Sequence, residues 1–340
     1  IRDRKRPVWQ RGLVTTLVIA LGAVFLLQAQ SWQRGALETS RNFYGVVKVT
    51  EAQMISGPYR EMFNGAISHG AQLMRPELRS VPTQYYGSRS GLGLALRLLR
   101  EQKPGNAPLR IGVVGLGVGT VAALSRPGDY LRFYEINPDV EQLARRHFTY
   151  LADSEASIDV VIGDARLQLA AEAAAGQRHD FDILILDAFS SDSVPVHLLT
   201  SEAYALYRSQ LRPGGVLAFH TSNRHLGLSP AVRTLAEQHG DGSVRIINVD
   251  EGWFKVASSR WVLTSSDSDF LNRSEIGVEM TPWLPSERFK MAWTDDHSNL
   301  LEAFRLKPEL AENKWLAAPN NGVFVYDVAQ VVDDDREARL

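Results

Sequence analysis

Apolar and polar positions alternate with several different periods along the chain, and each change of period marks an element. Residues 12–29, GLVTTLVIALGAVFLLQA, carry no charge over an 18-residue run. As a helix this reaches across most of a roughly 30 Å hydrocarbon layer, so a transmembrane helix is expected there behind a basic flank at 1–11. From 41 to 80 the pattern changes to short β-like runs, FYGVVKV, AQMISGPYREMF and AISHGAQL, with Asn64-Gly65 as a hairpin turn. A small antiparallel β domain is expected over that stretch.

Beyond residue 81 two rhythms alternate. SGLGLALRLLREQ, PDVEQLARRHF, RLQLAAEAAA, SEAYALYRSQL and PAVRTLAEQHG have the spacing of helices with one apolar face. Between them IGVV, the run ending in Glu135, SIDVVIGD, FDILILD and VLAFH are strand-like, and the continuous apolar runs predict burial on both faces. VRIINVD and SRWVLTSS follow as a terminal hairpin. This order predicts an α/β domain over 81–305, a doubly wound, mostly parallel sheet covered by helices. A C-terminal extension, 306–340, follows, and its charged end DDDREARL is expected to be disordered.

Ligands of open α/β sheets bind beyond the carboxyl ends of the strands. Four consecutive strands are predicted to end at Gly115, Glu135, Asp164 and Asp187, so three carboxylates should ring one crevice. Gly115, Gly117 and Gly119 let the backbone turn tightly beside a ligand, and an acid at the end of the next strand can accept hydrogen bonds from ribose hydroxyls. Each carboxylate taken singly is as well explained as a helix cap. All three together point to an adenosine ligand, shared by dinucleotide enzymes and S-adenosyl enzymes; for hydride transfer no second catalytic set stands out.

Composition narrows the chemistry. The chain has 340 residues, a formal charge of -2 and no cysteine. Disulfides, zinc-thiolate sites and thiol nucleophiles are excluded, and the charge gives no case for nucleic acid binding. The chain opens on Ile1 rather than Met, so further sequence upstream is expected. Arg2, Arg4, Lys5, Arg6 and Arg11 precede the apolar run, which by the positive-inside rule places the remainder outside. A cofactor made in the cytoplasm argues for the opposite side, and the catalytic domain is expected to be cytoplasmic on an inner or plasma membrane.

FNGAI, GLGVG, YEIN, GDA and LDAFSSD, in this order, resemble the spermidine synthase family of aminopropyltransferases, over about 41–265. HGAQL, PTQYYG and HTSNRHL are similar to its branch fused to membrane segments. The resemblance implies a Rossmann-like methyltransferase fold and transfer of an aminopropyl group from decarboxylated S-adenosylmethionine to putrescine. It implies that Glu135 holds the ribose, Asp164 and Ala165 flank the adenine, Asp187 is the catalytic carboxylate with Tyr86 beside it, and Asp192 is a second acid on the amine. It also implies pairing of two copies through the small domains.

An ammonium with a pKa near 10.4 is about three units from deprotonation at neutral pH, roughly 4 to 5 kcal/mol. A carboxylate such as Asp187 can bind it, orient it and take its proton. The faces of Tyr85 and Tyr86 would favour cations, although both are equally at home as packing. Asp295, Asp296 and His297 are candidates for reaching over the crevice; Asp296 is taken as substrate-binding, and no metal is expected.

Departures from the family pattern concern the amine half. Val118 replaces an acid of the glycine turn, Gly87 stands at the place of a donor-binding glutamine, and two extra residues separate Asp187 from Asp192. Intact S-adenosylmethionine is therefore an alternative donor, and a methyltransferase or a catalytically silent membrane-coupled sensor of polyamines or nucleosides are alternative functions.

Overall fold

The computed structural model describes residues 8–33, 35–54, 57–65, 67–189, 194–223, 226–248, 258–285, 287, 289 and 291–304. Asp192 and the extension 306–340 lie outside the described residues, as does most of the basic flank.

The apolar run of residues 12–29 does form a helix, α1 (Val8–Gln33). Its described side chains, 12–28, are all exposed. Among the described residues no helix is long and apolar enough to cross a membrane. The expected transmembrane helix thus finds no support among the described residues.

Four antiparallel strands in sequential order follow, β1 (Ala36–Asn42), β2 (Gly45–Met54), β3 (Gly57–Asn64) and β4 (Ile67–Leu73). The hairpin at Asn64-Gly65 is as predicted, with Gly65 at φ +59°. The first strand, ALETSRN, lies ahead of the expected domain start at 41. Its two faces differ only between half-buried and exposed, so it carries no apolar alternation to betray it. Val47, Val49 and Met62 of this small sheet are buried in the main core.

The second sheet has seven strands in the order β10-β11-β9-β8-β5-β6-β7. They are β5 (Arg110–Val114), β6 (Tyr130–Glu135), β7 (Ser157–Ile162), β8 (Phe181–Leu186), β9 (Leu211–His220), β10 (Gly242–Asn248) and β11 (Ser259–Ser265). The five central strands run parallel, and β11 and β10 add an antiparallel edge. This is the doubly wound α/β arrangement expected. On one face the sheet packs against α2 (Gly91–Gln102) and α3 (Pro138–His147), with the one-turn helix α4 (Tyr150–Asp153) beside them. The other face carries α5 (Ala165–Ala174), α6 (Ser201–Ser209) and α7 (Ser229–Gln238). β8 is buried at every residue, its Asp182 included, as its mostly apolar run required.

A strand, a glycine turn and a second strand ending in an acid, as over residues 109–139, call for a crossover helix between the strands. After the glycine turn the chain forms only a short 3-10 helix at Thr120–Leu124. β-branched residues at its start and Pro127-Gly128 just beyond leave too little sequence to nucleate an α-helix.

Candidate active site

Strand order reverses between β5 and β8, and this is where a ligand crevice is expected. The chain leaves β5 through Gly115 (φ +97°) and Gly117 (φ +55°). A Cβ on Gly115 would lie 2.6 Å from the carbonyl oxygen of Asp187, and one on Gly117 2.4 Å from that of His69. Glycine is needed here because three backbone segments converge, the ends of β5 and β8 and strand β4 from the small sheet. Gly119 (φ +84°) turns the chain against Leu151 and does not line the cavity.

A cavity of about 250 Å³ opens at this point, and Glu135, Asp164 and Asp187 all line it, with Tyr85, Tyr86 and Ala165. A larger hollow of about 720 Å³ lies behind α2, among Arg97, Arg100 and Arg126, and holds none of the predicted site residues. The smaller cavity is the one with the chemistry.

Glu135 is buried at the end of β6 and accepts backbone hydrogen bonds from Leu116 to Oε2 and from Asn137 to Oε1, both 2.9 Å. Burial raises its pKa, and the backbone donors offset part of that rise. The two oxygens are locked in place with lone pairs to spare, which is what a ribose diol needs. Asp164 follows β7 and caps α5 through Leu167 N, 3.0 Å, while its other oxygen meets His197 Nε2 at 2.9 Å. Capping and lining the cavity are thus compatible roles for one side chain.

Asp187 follows β8 and is almost fully buried. Tyr86 donates its phenol to Oδ2, and His220 Nδ1 lies 2.7 Å from Oδ1. Burial opposes its ionisation, but His220, Tyr86 and the nearby His69 outweigh this and hold the carboxyl below its usual range. Tyr86 moves the other way, its pKa raised far above that of a free phenol by burial and by the adjacent carboxylate. Together they make an anionic centre at neutral pH with a fixed neutral donor beside it. Tyr85 stacks on the His220 ring, centroids 4.0 Å apart.

The remaining predicted residue falls elsewhere. Asp296 is exposed and outside the cavity lining. Its neighbour Asp295 is a tie between elements: both oxygens meet Arg166, at 2.6 and 2.5 Å, and Thr200 Oγ1 donates at 2.8 Å. Among the described residues no cluster of His, Asp or Glu is arranged to hold a metal.

Among the lining residues that were not singled out from sequence are His69, His197 and Tyr44. His69 is half-buried, its pKa lowered by desolvation, and its buried Nε2 has no hydrogen-bond partner among the described residues. Gly70 beside it, at φ +135°, packs directly on Val118. A histidine followed by a glycine inside a strand was the available signal.

No family model matches the chain. A 117-residue segment, 34% of the chain, is 35% identical to a polyamine aminopropyltransferase of Vibrio vulnificus. A 145-residue segment is 28% identical to a probable polyamine aminopropyl transferase of Bifidobacterium longum. The matched segments cover only 38% and 30% of these two proteins' own length. Among solved structures, a probable spermidine synthase from Corynebacterium glutamicum superimposes over 86% of this chain and 98% of its own, with a TM-score of 0.53 and 17% identity. The chain shares that protein's fold. A small antiparallel sheet followed by a Rossmann-like domain is therefore an arrangement already seen in a protein of that description, while 17% identity says nothing about which groups the pocket takes.

Proposed function

We propose that this chain is a member of the spermidine synthase family, transferring an aminopropyl or related alkyl group from decarboxylated S-adenosylmethionine to an amine such as putrescine. The observation that carries the reading is the gathering of Glu135, Asp164 and Asp187 in one cavity, with Asp187 buried and held anionic beside Tyr86. Glu135 would take the ribose, Asp164 with Ala165 the adenine, and Asp187 the ammonium of the acceptor. The donor supplies a sulfonium whose adjacent carbon is the electrophile. Asp187 accepts a proton from the ammonium and aims the freed lone pair at that carbon, so positioning contributes most of the acceleration. Asp192 and Tyr85 complete the amine side of the proposal.

The second reading, methyl transfer from intact S-adenosylmethionine, has one observation in its favour. Val118, at the place of the family's acid in the turn, is buried against Gly70 and does not line the cavity, so no acid would reach the donor's tail from this point. Product analysis separates the two. The chain is incubated with each donor and a panel of amines, and mass spectrometry reads methylthioadenosine for aminopropyl transfer or S-adenosylhomocysteine for methylation. Asp187→Asn should abolish turnover and leave methylthioadenosine binding largely intact; full activity in that variant refutes the assignment. Attachment to a membrane through residues 12–29 and pairing of two copies belong to the proposal and rest on the sequence.

A further inference from the structure

Asp187 is held from two sides, and only one of them faces the cavity. Tyr86 belongs to the cavity lining; His220, the last residue of β9, does not. The His220 ring is 1% exposed and lies between two aromatic faces, Tyr85 at 4.0 Å and 23° and Trp261 at 4.8 Å and 29°. Its Nδ1 meets Asp187 Oδ1, whereas its Nε2 is buried with no hydrogen-bond partner among the described residues. An ionised carboxylate oxygen can only accept, so the contact puts a proton on Nδ1, pointing at Asp187. The aromatic sandwich fixes the plane in which that proton points.

We propose that His220 is the positioning residue of this centre, whose Nδ1–H donates to Asp187 Oδ1 and so fixes the carboxylate that meets the acceptor amine. The inference rests on the reading of Asp187 as base and amine holder. In the step it serves, the ammonium passes one proton to Asp187, and the freed nitrogen pair forms the new N–C bond. The C–S pair returns to sulfur as a neutral thioether, and the product leaves as a secondary ammonium. His220 exchanges no proton. Burial alone would raise the Asp187 carboxyl, and His220 is the largest influence opposing it. Among the described residues the other titratable groups at this centre are Tyr86, Tyr85 and His69.

Three substitutions test this. His220→Phe refills the sandwich without the N–H, His220→Asn restores an amide N–H near the Nδ1 position, and His220→Gln places one toward Nε2 instead. With Phe and Gln, kcat is expected to fall by roughly 100-fold, and the acid limb of the pH–kcat profile to move up by about one unit or more. Methylthioadenosine affinity should stay within about threefold, because the nucleoside contacts are untouched. His220→Asn should recover about tenfold of the lost rate and return the acid limb toward the wild type. A ring that only packs would give the opposite order, with Phe the mildest variant and the acid limb unmoved, and that result overturns the proposal. So does equal loss in all three variants. Activity in Asp187→Asn overturns the base reading itself; an inactive Asp187→Asn beside a fully active His220→Phe or His220→Gln overturns the role of His220 alone.

Discussion

Glu135→Gln separates nucleoside binding from chemistry and can be worked from the structure. Both carboxylate oxygens already accept a backbone N–H, from Leu116 and from Asn137. A glutamine has one acceptor oxygen, so one of these N–H groups would face an NH2, and the ribose would lose its charged acceptor. Two hydrogen bonds to a charged group contribute about 1.5 to 3 kcal/mol each, and the amide keeps about half of that. The expected loss is about 3 kcal/mol, or ~150-fold in Kd for methylthioadenosine. Isothermal titration reads it directly. A change of less than about threefold would mean that ribose does not sit on Glu135.

Stability should respond differently from affinity. An unpaired backbone N–H costs about 1 to 3 kcal/mol, while removing a buried charge acts in the other direction. The pH dependence identifies the second effect. Burial raises the folded pKa of Glu135 above 4.5, so the folded chain binds this proton more tightly than the unfolded one. The resulting stability is fully present below the unfolded value and is lost as pH rises through the folded one. Thermal denaturation should therefore show the gap between variant and wild type moving in favour of the variant as pH is raised from 4.5. A gap independent of pH would mean that Glu135 is not buried as a charge.

Two further outcomes are expected. Gly117→Ala forces an alanine to φ +55° with its Cβ 2.4 Å from the His69 carbonyl, and should lower Tm by several degrees, about 2 kcal/mol or more, and weaken nucleoside binding with it; an unchanged Tm would show that β4 does not press on the turn. If residues 12–29 attach the protein to a membrane, the chain from residue 36 onward should move from the membrane fraction to the supernatant on ultracentrifugation while the full chain stays behind; equal distribution of the two sinks that part of the proposal.

The sheet and the acids at its rim were legible because local pattern and tertiary role coincide there. A short, largely apolar run that ends at a glycine or an acid is a signal contained within about ten residues, and β5 to β8 all carry it. Asp164 shows the limit of such reading. Its cap on Leu167 is three residues away, but its contact with His197 spans 33, and nothing near Asp164 announces it. Asp295 shows it again, since its partners Arg166 and Thr200 lie 129 and 95 residues earlier. An acidic pair beside a histidine looks like a ligand set until those partners are placed. Strand β1 was missed because its two faces differ too little in polarity.

The two halves of the pocket differ in how they are built, and this bears on which half can change. Glu135, Asp164 and the glycines are positioned at the sheet's own ends, where nearby backbone N–H groups donate to the two carboxylates. The transfer half is assembled from distant pieces: His69 from β4, Tyr85 and Tyr86 from the loop before α2, Asp187 after β8, and His220 from the end of β9. A substitution on one of these pieces alters the environment of the reacting nitrogen without touching the nucleoside. Val118 fits that division, since it sits inside the glycine turn yet packs on Gly70 of β4. On the proposed reading, the adenosine end of the donor would be constrained by the fold, whereas the group transferred and its acceptor would be set by side chains that other elements bring in.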